Sequence, residues 1–543
     1  MSKTVRQPLA AALVALALLL TLAPPAGAEE AVGPLPTPED FVTQQYEDFL
    51  SRSPDTTGLN YWTAQLEAGA DPATLVESLA LSEEFAGTIA PVVRLYYAHF
   101  QRPPDHAGLD YWASVARNGA SLAGISEEFV NSEEFEATYG SLNDAQYVDL
   151  VYTNVLERPA DDAGTAYWTN LLANGMSRGA LLAAFSESEE YQTKMDGTVR
   201  ATMLYVGMLK RAPESDGLDY WADTLDGGAR YRDVIAGFLG AAEYDDRIEG
   251  IYPHVNPLTG VPTRTFPLRP ALAVKIDNVD AARPQSNIEH ADVIYEEMVE
   301  GNLTRLVAVF HSTLPATVGP VRSIRTTDID ILDQLNTPLL AASGANSGVL
   351  AAVAGADLVN VNALVVGGAY YRDGSRRAPH NLYADTHALY LGAPSQGGVP
   401  TALFDYRRPH TTPTGGVAAT GVSVAFGRAD IDFTWSPTAK GWVRSQNGST
   451  HTTAAGRALA PANVVVLEVP YGVSAADANS PEAHTVGTGT AHVFTAGRRV
   501  TGTWTRGDSS DPIRILDANG DDIALTRGQT FVELAPPGSI TLR

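Results

Sequence analysis

The chain has 543 residues, no cysteine and a formal net charge of −26 at neutral pH. The missing cysteine excludes disulfides, thiolate metal sites, a cysteine nucleophile and a lipid-accepting N-terminal cysteine. The acidity lies in residues 29–250, with 38 acidic and 13 basic side chains against 25 and 22 in residues 251–543; such a surface repels phosphates and argues against nucleic-acid binding.

Lys3 and Arg6 precede an apolar stretch from Leu9 to Leu22, and Ala26-Gly27-Ala28 offers small residues for cleavage. Residues 1–28 are therefore predicted to be a secretory signal peptide, and the protein is expected to be secreted, extracellular and associated with the cell envelope. The alternative is an uncleaved N-terminal membrane anchor, for which the run is short.

Residues 36–250 hold four copies of one pattern, Arg-x-x-[Asp/Glu]-x-x-Gly-x-x-Tyr-Trp, at Arg52 to Trp62, Arg102 to Trp112, Arg158 to Trp168 and Arg211 to Trp221. A tyrosine stands six residues before each arginine (Tyr46, Tyr96, Tyr152, Tyr205), and an aromatic closes each copy (Phe85, Phe135, Tyr191, Tyr244). Self-similarity at this period predicts an array of small modules with a binding or scaffolding job. Apolar residues at helical spacing predict helices, with Asp55, Asp105, Asp161 and Glu214 at N-caps or in first turns and Asn118-Gly119 and Asn174-Gly175 as stops. The tryptophans are expected in the core, and each arginine is expected to close a helix and pair with its loop acid. Exposed Tyr-Trp pairs lining sugar grooves are the functional alternative. The pattern resembles a bacterial extracellular repeat family of unknown function and the helical domain of phycobilisome linkers. That resemblance implies an all-helical module without catalysis.

After Gly250 the composition changes. Residues 251–400 are predicted to form an α/β (α+β) domain, with strands at Leu272–Ile276, Val293–Tyr295, Leu306–Phe310 and Leu339–Gly344 and a helix from Val349 to Ala354. Polar residues cluster at strand ends and loops, where sites are usually built. Arg283, Arg305, Arg322 and Arg325 suit an anionic ligand because guanidinium forks match carboxylate and phosphate. Asn278 and Asn381 complete the ligand-binding candidates, and Asp277, Glu300 and His380 are the candidates for acid or base work. Internal pairing of these arginines with Asp277, Glu296 and Glu300 is the structural alternative.

Residues 415–543 alternate in the manner of strands, with hairpin signals at Asn447-Gly448 and Asn519-Gly520, and are predicted to be an antiparallel all-β domain. The motifs Asn256-Pro257-Leu258-Thr259-Gly260, Ile276-Asp277-Asn278, Ala282-Arg283-Pro284-Gln285-Ser286, Gly319-Pro320-Val321-Arg322-Ser323 and Ala378-Pro379-His380-Asn381-Leu382-Tyr383 resemble the YerB family of bacterial cell-envelope lipoproteins. The resemblance continues through Asn463-Val464-Val465-Val466, Gly502-Thr503-Trp504 and Gly528-Gln529-Thr530. It implies that both halves form one unit with a cleft between them. It brings no activity.

The chain is thus expected to be multidomain: an all-α repeat array, an α/β domain, then an antiparallel β domain. No cofactor motif, no metal site and no Gly-x-Ser-x-Gly elbow is present in the sequence. The favoured expectation is a non-enzymatic protein that binds an anionic cell-wall polymer or an envelope protein, without a lipid anchor. A hydrolase or transferase acting on wall glycan or a phosphodiester is the alternative.

Overall fold

A computed structural model describes Leu35 and residues 37–409 and 411–543. The predicted signal peptide lies outside the described residues. Helices fill residues 38–251, and strands dominate from there to the C-terminus. Among the described residues no helix is long and apolar enough to cross a membrane.

Each repeat motif residue has a local task. The arginine guanidinium sits 5.0–5.5 Å from the ring centre of the tyrosine six residues earlier, in all four copies, a cation–π arrangement. The hydroxyl of that tyrosine abuts the motif glycine: a Cβ would lie 2.7 Å from the Tyr46 oxygen at Gly58 and 2.6 Å from the Tyr96 oxygen at Gly108. Asp55, Asp105 and Asp161 are N-caps, each accepting the N–H of that same glycine.

The arginine pairs elsewhere than expected. Arg52 meets Glu84 and Arg102 meets Glu134, both at 2.8 Å, and Arg211 meets Glu243. Each partner lies 32 residues downstream. The loop aspartate is already occupied by its cap, so the arginine reaches the next acidic turn; only in the fourth copy does it also bind its loop acid, Glu214. The third copy keeps the ring contact alone among the described residues.

The four copies close on themselves rather than trail off as an open stack. In the second and third copies, helices Leu122–Val130 and Arg178–Ser186 pack so tightly that a Cβ on Gly179 would strike the backbone of Glu127. The first and fourth copies meet through Gln45, whose amide donates to the Tyr244 hydroxyl at 2.8 Å, and through Arg232–Glu77 and Arg247–Asp48. Part of the array's acidity faces the C-terminal half, where Arg264, Arg408, Arg457 and Arg527 reach Glu47, Asp246, Glu67 and Glu249.

The C-terminal half is built on one 11-stranded sheet. Its strands are β1 (Leu272–Asp277), β2 (Val293–Val299), β3 (Leu303–Phe310), β4 (Leu339–Ala341), β5 (Val359–Asn360), β6 (Val417–Ala418), β7 (Asn463–Glu468), β8 (Gly487–Thr495), β9 (Arg498–Arg506), β10 (Arg514–Leu516) and β11 (Thr530–Ala535). The order is β6-β9-β8-β7-β11-β2-β3-β1-β4-β5, with β10 on β9. Strands from residues 251–400 and 415–543 join without a break, because β11 lies parallel to both β2 and β7. Alternation assigns the faces. Leu272, Val274, Ile276, Ile294 and Leu306 look toward a five-stranded antiparallel sheet carrying Val422, Phe433 and Trp442. Ala273, Tyr295 and Val307 look toward helices α1 (Thr326–Asp333) and α2 (Ser347–Ala354).

Candidate functional site

The site lies where β1 and β4 part. They are parallel neighbours as far as Val274 and Ala341. Beyond that point residues 319–324 wedge between them. Asp277 N–H donates to Pro320 O, Arg322 N–H to Lys275 O, Ser343 N–H to Arg322 O and Ile324 N–H to Gly344 O, at 2.8–3.0 Å. The split falls at the carboxyl ends of parallel strands, the usual place for a ligand in an α/β sheet. The wedge also explains the Gly-Pro-Val-Arg-Ser run: Gly319 leaves no room for a Cβ against Tyr383, and Pro320 offers a carbonyl where no N–H is needed.

Asp277 ends β1 with a buried carboxylate, which accepts from His380 Nδ1 at 2.7 Å and lies 3.0 Å from Arg322 Nε. A carboxylate only accepts, so Nδ1 carries a proton and Nε2 is the basic nitrogen of the neutral ring. Across the pair, Asp277 faces Arg305 in register on β3. Glu300 holds Arg325 at 2.6 Å and also accepts from the Ser480 hydroxyl. Burial opposes ionisation of Glu300, but the bonds from Arg325 and Ser480 outweigh it and hold its pKa down to about 2.

Arg305 differs from its neighbours. Its guanidinium donates to the Ser323 carbonyl at 3.2 Å, and among the described residues no carboxylate lies within ion-pair distance of it. Burial first, then the charges of Arg325 and Arg322, push its pKa down to about 10. Asp277 and Glu300 pull it the other way without offsetting that. Three guanidinium groups thus share two carboxylates.

Beside Arg325 opens a cleft of about 430 Å³, lined by Ser323, Ser343, Gly344, Asn346, Leu364 and Asp477. Gly344, at φ +119°, makes the turn from β4 into the loop that starts α2. Asn346 caps α2 through Val349 N–H and donates to Asp477 at 2.8 Å. The N-termini of α1 and α2 both begin at this cleft, after Arg325 and Asn346, and the positive ends of the helix dipoles favour negative charge there. Asp477 and Ser480 come from the hairpin Tyr471–Ser474 and Asp477–Ala483 of the other half, so both halves build the site.

Six of the nine sequence candidates therefore meet: Asp277, Glu300, Arg305, Arg322, Arg325 and His380. The other three are placed elsewhere. Asn278 points to the opposite sheet face and donates to Glu296 and Thr304. Asn381 organises its own loop, bonding Arg372, Asp373 O and Arg376 O. Arg283 pairs with Asp280 on a separate groove. Ser323 closes the Gly-Pro-Val-Arg-Ser motif, whereas Asn346, Asp477 and Ser480 carried no sequence signal, since they come together with it only in space.

Beneath the site lie interior ion pairs that hold the fold. Lys275 is buried with Glu297 and, at 2.6 Å, Asp328. On the other face Arg444 pairs with Glu296 at 2.7 Å and donates to His451 Nδ1 at 2.8 Å. Burial and the neighbouring Glu296 charge push the Glu533 carboxyl well above the usual carboxyl range.

Residues 258–398 match the N-terminal domain, and residues 422–532 the C-terminal domain, of a family described as protein of unknown function DUF3048. Residues 26–89, 126–195 and 200–248 match a domain of unknown function, DUF4214. The chain is homologous to YerB of Bacillus subtilis (strain 168), a protein that carries a lipoprotein name: 26% identity over 225 residues, covering 40% of this chain and 67% of the relative. The crystal structure of YerB from Bacillus subtilis aligns with a TM-score of 0.48 and 22% identity over 53% of this chain and 99% of that chain. The homology is consistent with a cell-envelope protein.

Proposed function

We propose that the protein is a secreted cell-envelope protein whose DUF3048 unit binds an anionic group, a phosphate or carboxylate of a wall polymer or of an envelope partner, between Arg305, Arg322 and Arg325. The observation that supports this reading is Arg305, a half-buried cation with no carboxylate within ion-pair distance among the described residues, whose charge is opposed by Arg325 and Arg322. A buried charge without a counter-ion is costly, and a bound anion removes that cost. The acidic helical array repels the same polymer, so it serves as a scaffold on which the binding unit is carried.

The test is retention of the purified protein on wall material with and without its phosphate polymers. Wild-type protein is retained more strongly on the phosphate-bearing wall, and Arg305→Ala and Arg325→Ala variants lose that difference, being washed off the phosphate-bearing wall at lower salt. Equal retention of all three proteins on both materials defeats the reading.

One observation favours a second reading. His380, oriented by the buried Asp277, has the geometry of a general base, with Arg322 beside it to hold charge. In that case the protein is a hydrolase or transferase acting on a wall glycan or phosphodiester. Turnover of a phosphodiester polymer that His380→Ala abolishes selects this reading; absence of turnover by wild-type protein removes it.

A further inference from the structure

We infer a second binding site, for a hydroxyl- and amide-rich saccharide, in the seam between the two halves of the DUF3048 unit. Two adjoining hollows of about 390 and 470 Å³ share Asp280, Gln446 and Asn447. They lie on the sheet face opposite the arginine cluster. Asn278 and Thr304 point here, whereas their chain neighbours Asp277 and Arg305 point to the anion site.

The lining is rich in unused hydrogen-bonding groups. Ser449, Thr450 and Thr452 are exposed in the groove, and their hydroxyls make no hydrogen bond to other described residues. The Asn447 side-chain oxygen is spent on Asp430 N–H at 2.9 Å, which leaves its NH₂ group as a donor. Arg283 gives the floor a guanidinium whose Nε, buried, has no partner in the described structure. Pro284 is the apolar side chain among the eight that line the first hollow, and Val279, Ala281, Leu303 and Ala429 line the second beside its polar groups.

The groove is also preformed. Gln446 Nε2 donates to Asn278 O at 3.2 Å, His451 Nε2 bonds Gln285 Oε1 at 2.7 Å, and Ala454 N–H donates to Gln285 O at 2.8 Å. Burial and the charge of Arg444 keep His451 neutral, so its Nδ1 accepts from Arg444 and its Nε2 donates across the seam. A rigid row of hydroxyl and amide groups loses little entropy on binding, which is what recognition of a sugar strand requires.

The test is calorimetric titration of the full chain with a soluble oligomer of N-acetylglucosamine. Thr450 is exposed, so Thr450→Trp fills the groove without disturbing the core. Wild-type protein binds, Thr450→Trp weakens binding at least about tenfold, and Arg305→Ala leaves it unchanged. Failure of wild-type protein to bind the oligomer, or equal binding by Thr450→Trp, overturns the inference. Because Arg305 serves only the anion site, loss of polymer retention in Arg305→Ala alongside unchanged sugar binding separates the two sites.

Discussion

Gly108 shows how a repeated residue is fixed by its neighbour. The Tyr96 hydroxyl stands where a Cβ would go, 2.6 Å away, and Asp105 claims the glycine N–H. Gly108→Ala is expected to lower stability by about 1–3 kcal/mol in a urea melt, since the tyrosine must move and it carries Arg102 on its ring. The Tyr-Trp pair divides its labour. Trp112 packs on Phe129 at 5.1 Å, whereas Tyr111 is 61% exposed. Trp112→Ala is expected to cost about 3 kcal/mol and Tyr111→Ser less than about 0.5 kcal/mol, both read from the same melt. The sequence exposed the tryptophan's role through its spacing to the core positions. It hid the arginine's partner, because a glutamate 32 residues away becomes a neighbour only after the two intervening helices have folded.

At the level of elements, the wedge of residues 319–324 decides the site. It delivers Arg322 to Asp277 and Arg325 to Glu300, and it starts α1 at Arg325. Glu300 lends this arrangement a pH signature. An unfolded glutamate titrates near about 4.3, and the folded one near about 2. A depressed carboxyl pKa contributes stability that is present above the unfolded value and lost as pH falls through the folded value. Glu300→Gln should therefore flatten the stability profile between about pH 4 and pH 2, while wild-type protein loses stability across that window. Identical acid limbs in the two proteins would mean that the Arg325 pair contributes nothing. The interior pair is different in kind. Arg444→Ala leaves Glu296 buried without its cation, and a loss of about 3–5 kcal/mol is expected in denaturant unfolding. Strand positions and the arginine-rich loops were legible from alternation and from clustered polar residues at strand ends. That Asn278 turns away from Asp277 follows from the pleat of β1, but only once extended backbone is known to continue to the residue after its end.

For the whole molecule, the continuous sheet is the main lesson that local pattern could not supply. Each half of residues 251–543 reads as its own set of strands, yet β11, from the end of the chain, inserts between β2 and β7. Parallel pairing over such a separation leaves no turn signal in the sequence. A fragment ending near residue 400 lacks β11 and exposes the edge of β2, so it is expected to stay unfolded or aggregate by circular dichroism and light scattering unless residues 415–543 are supplied. The closed helical array contacts the C-terminal half through four arginine–carboxylate pairs. Anion binding turns on Arg305, which has no acidic partner within ion-pair distance among the described residues. The direct measurement is calorimetric titration of the full chain with a soluble polyglycerol phosphate at several salt concentrations, for wild type and Arg305→Ala. Binding by wild type that weakens steeply with salt, and that falls at least about tenfold in Arg305→Ala, is the outcome the account predicts. Undiminished binding by Arg305→Ala, or no binding by wild type at low salt, contradicts it.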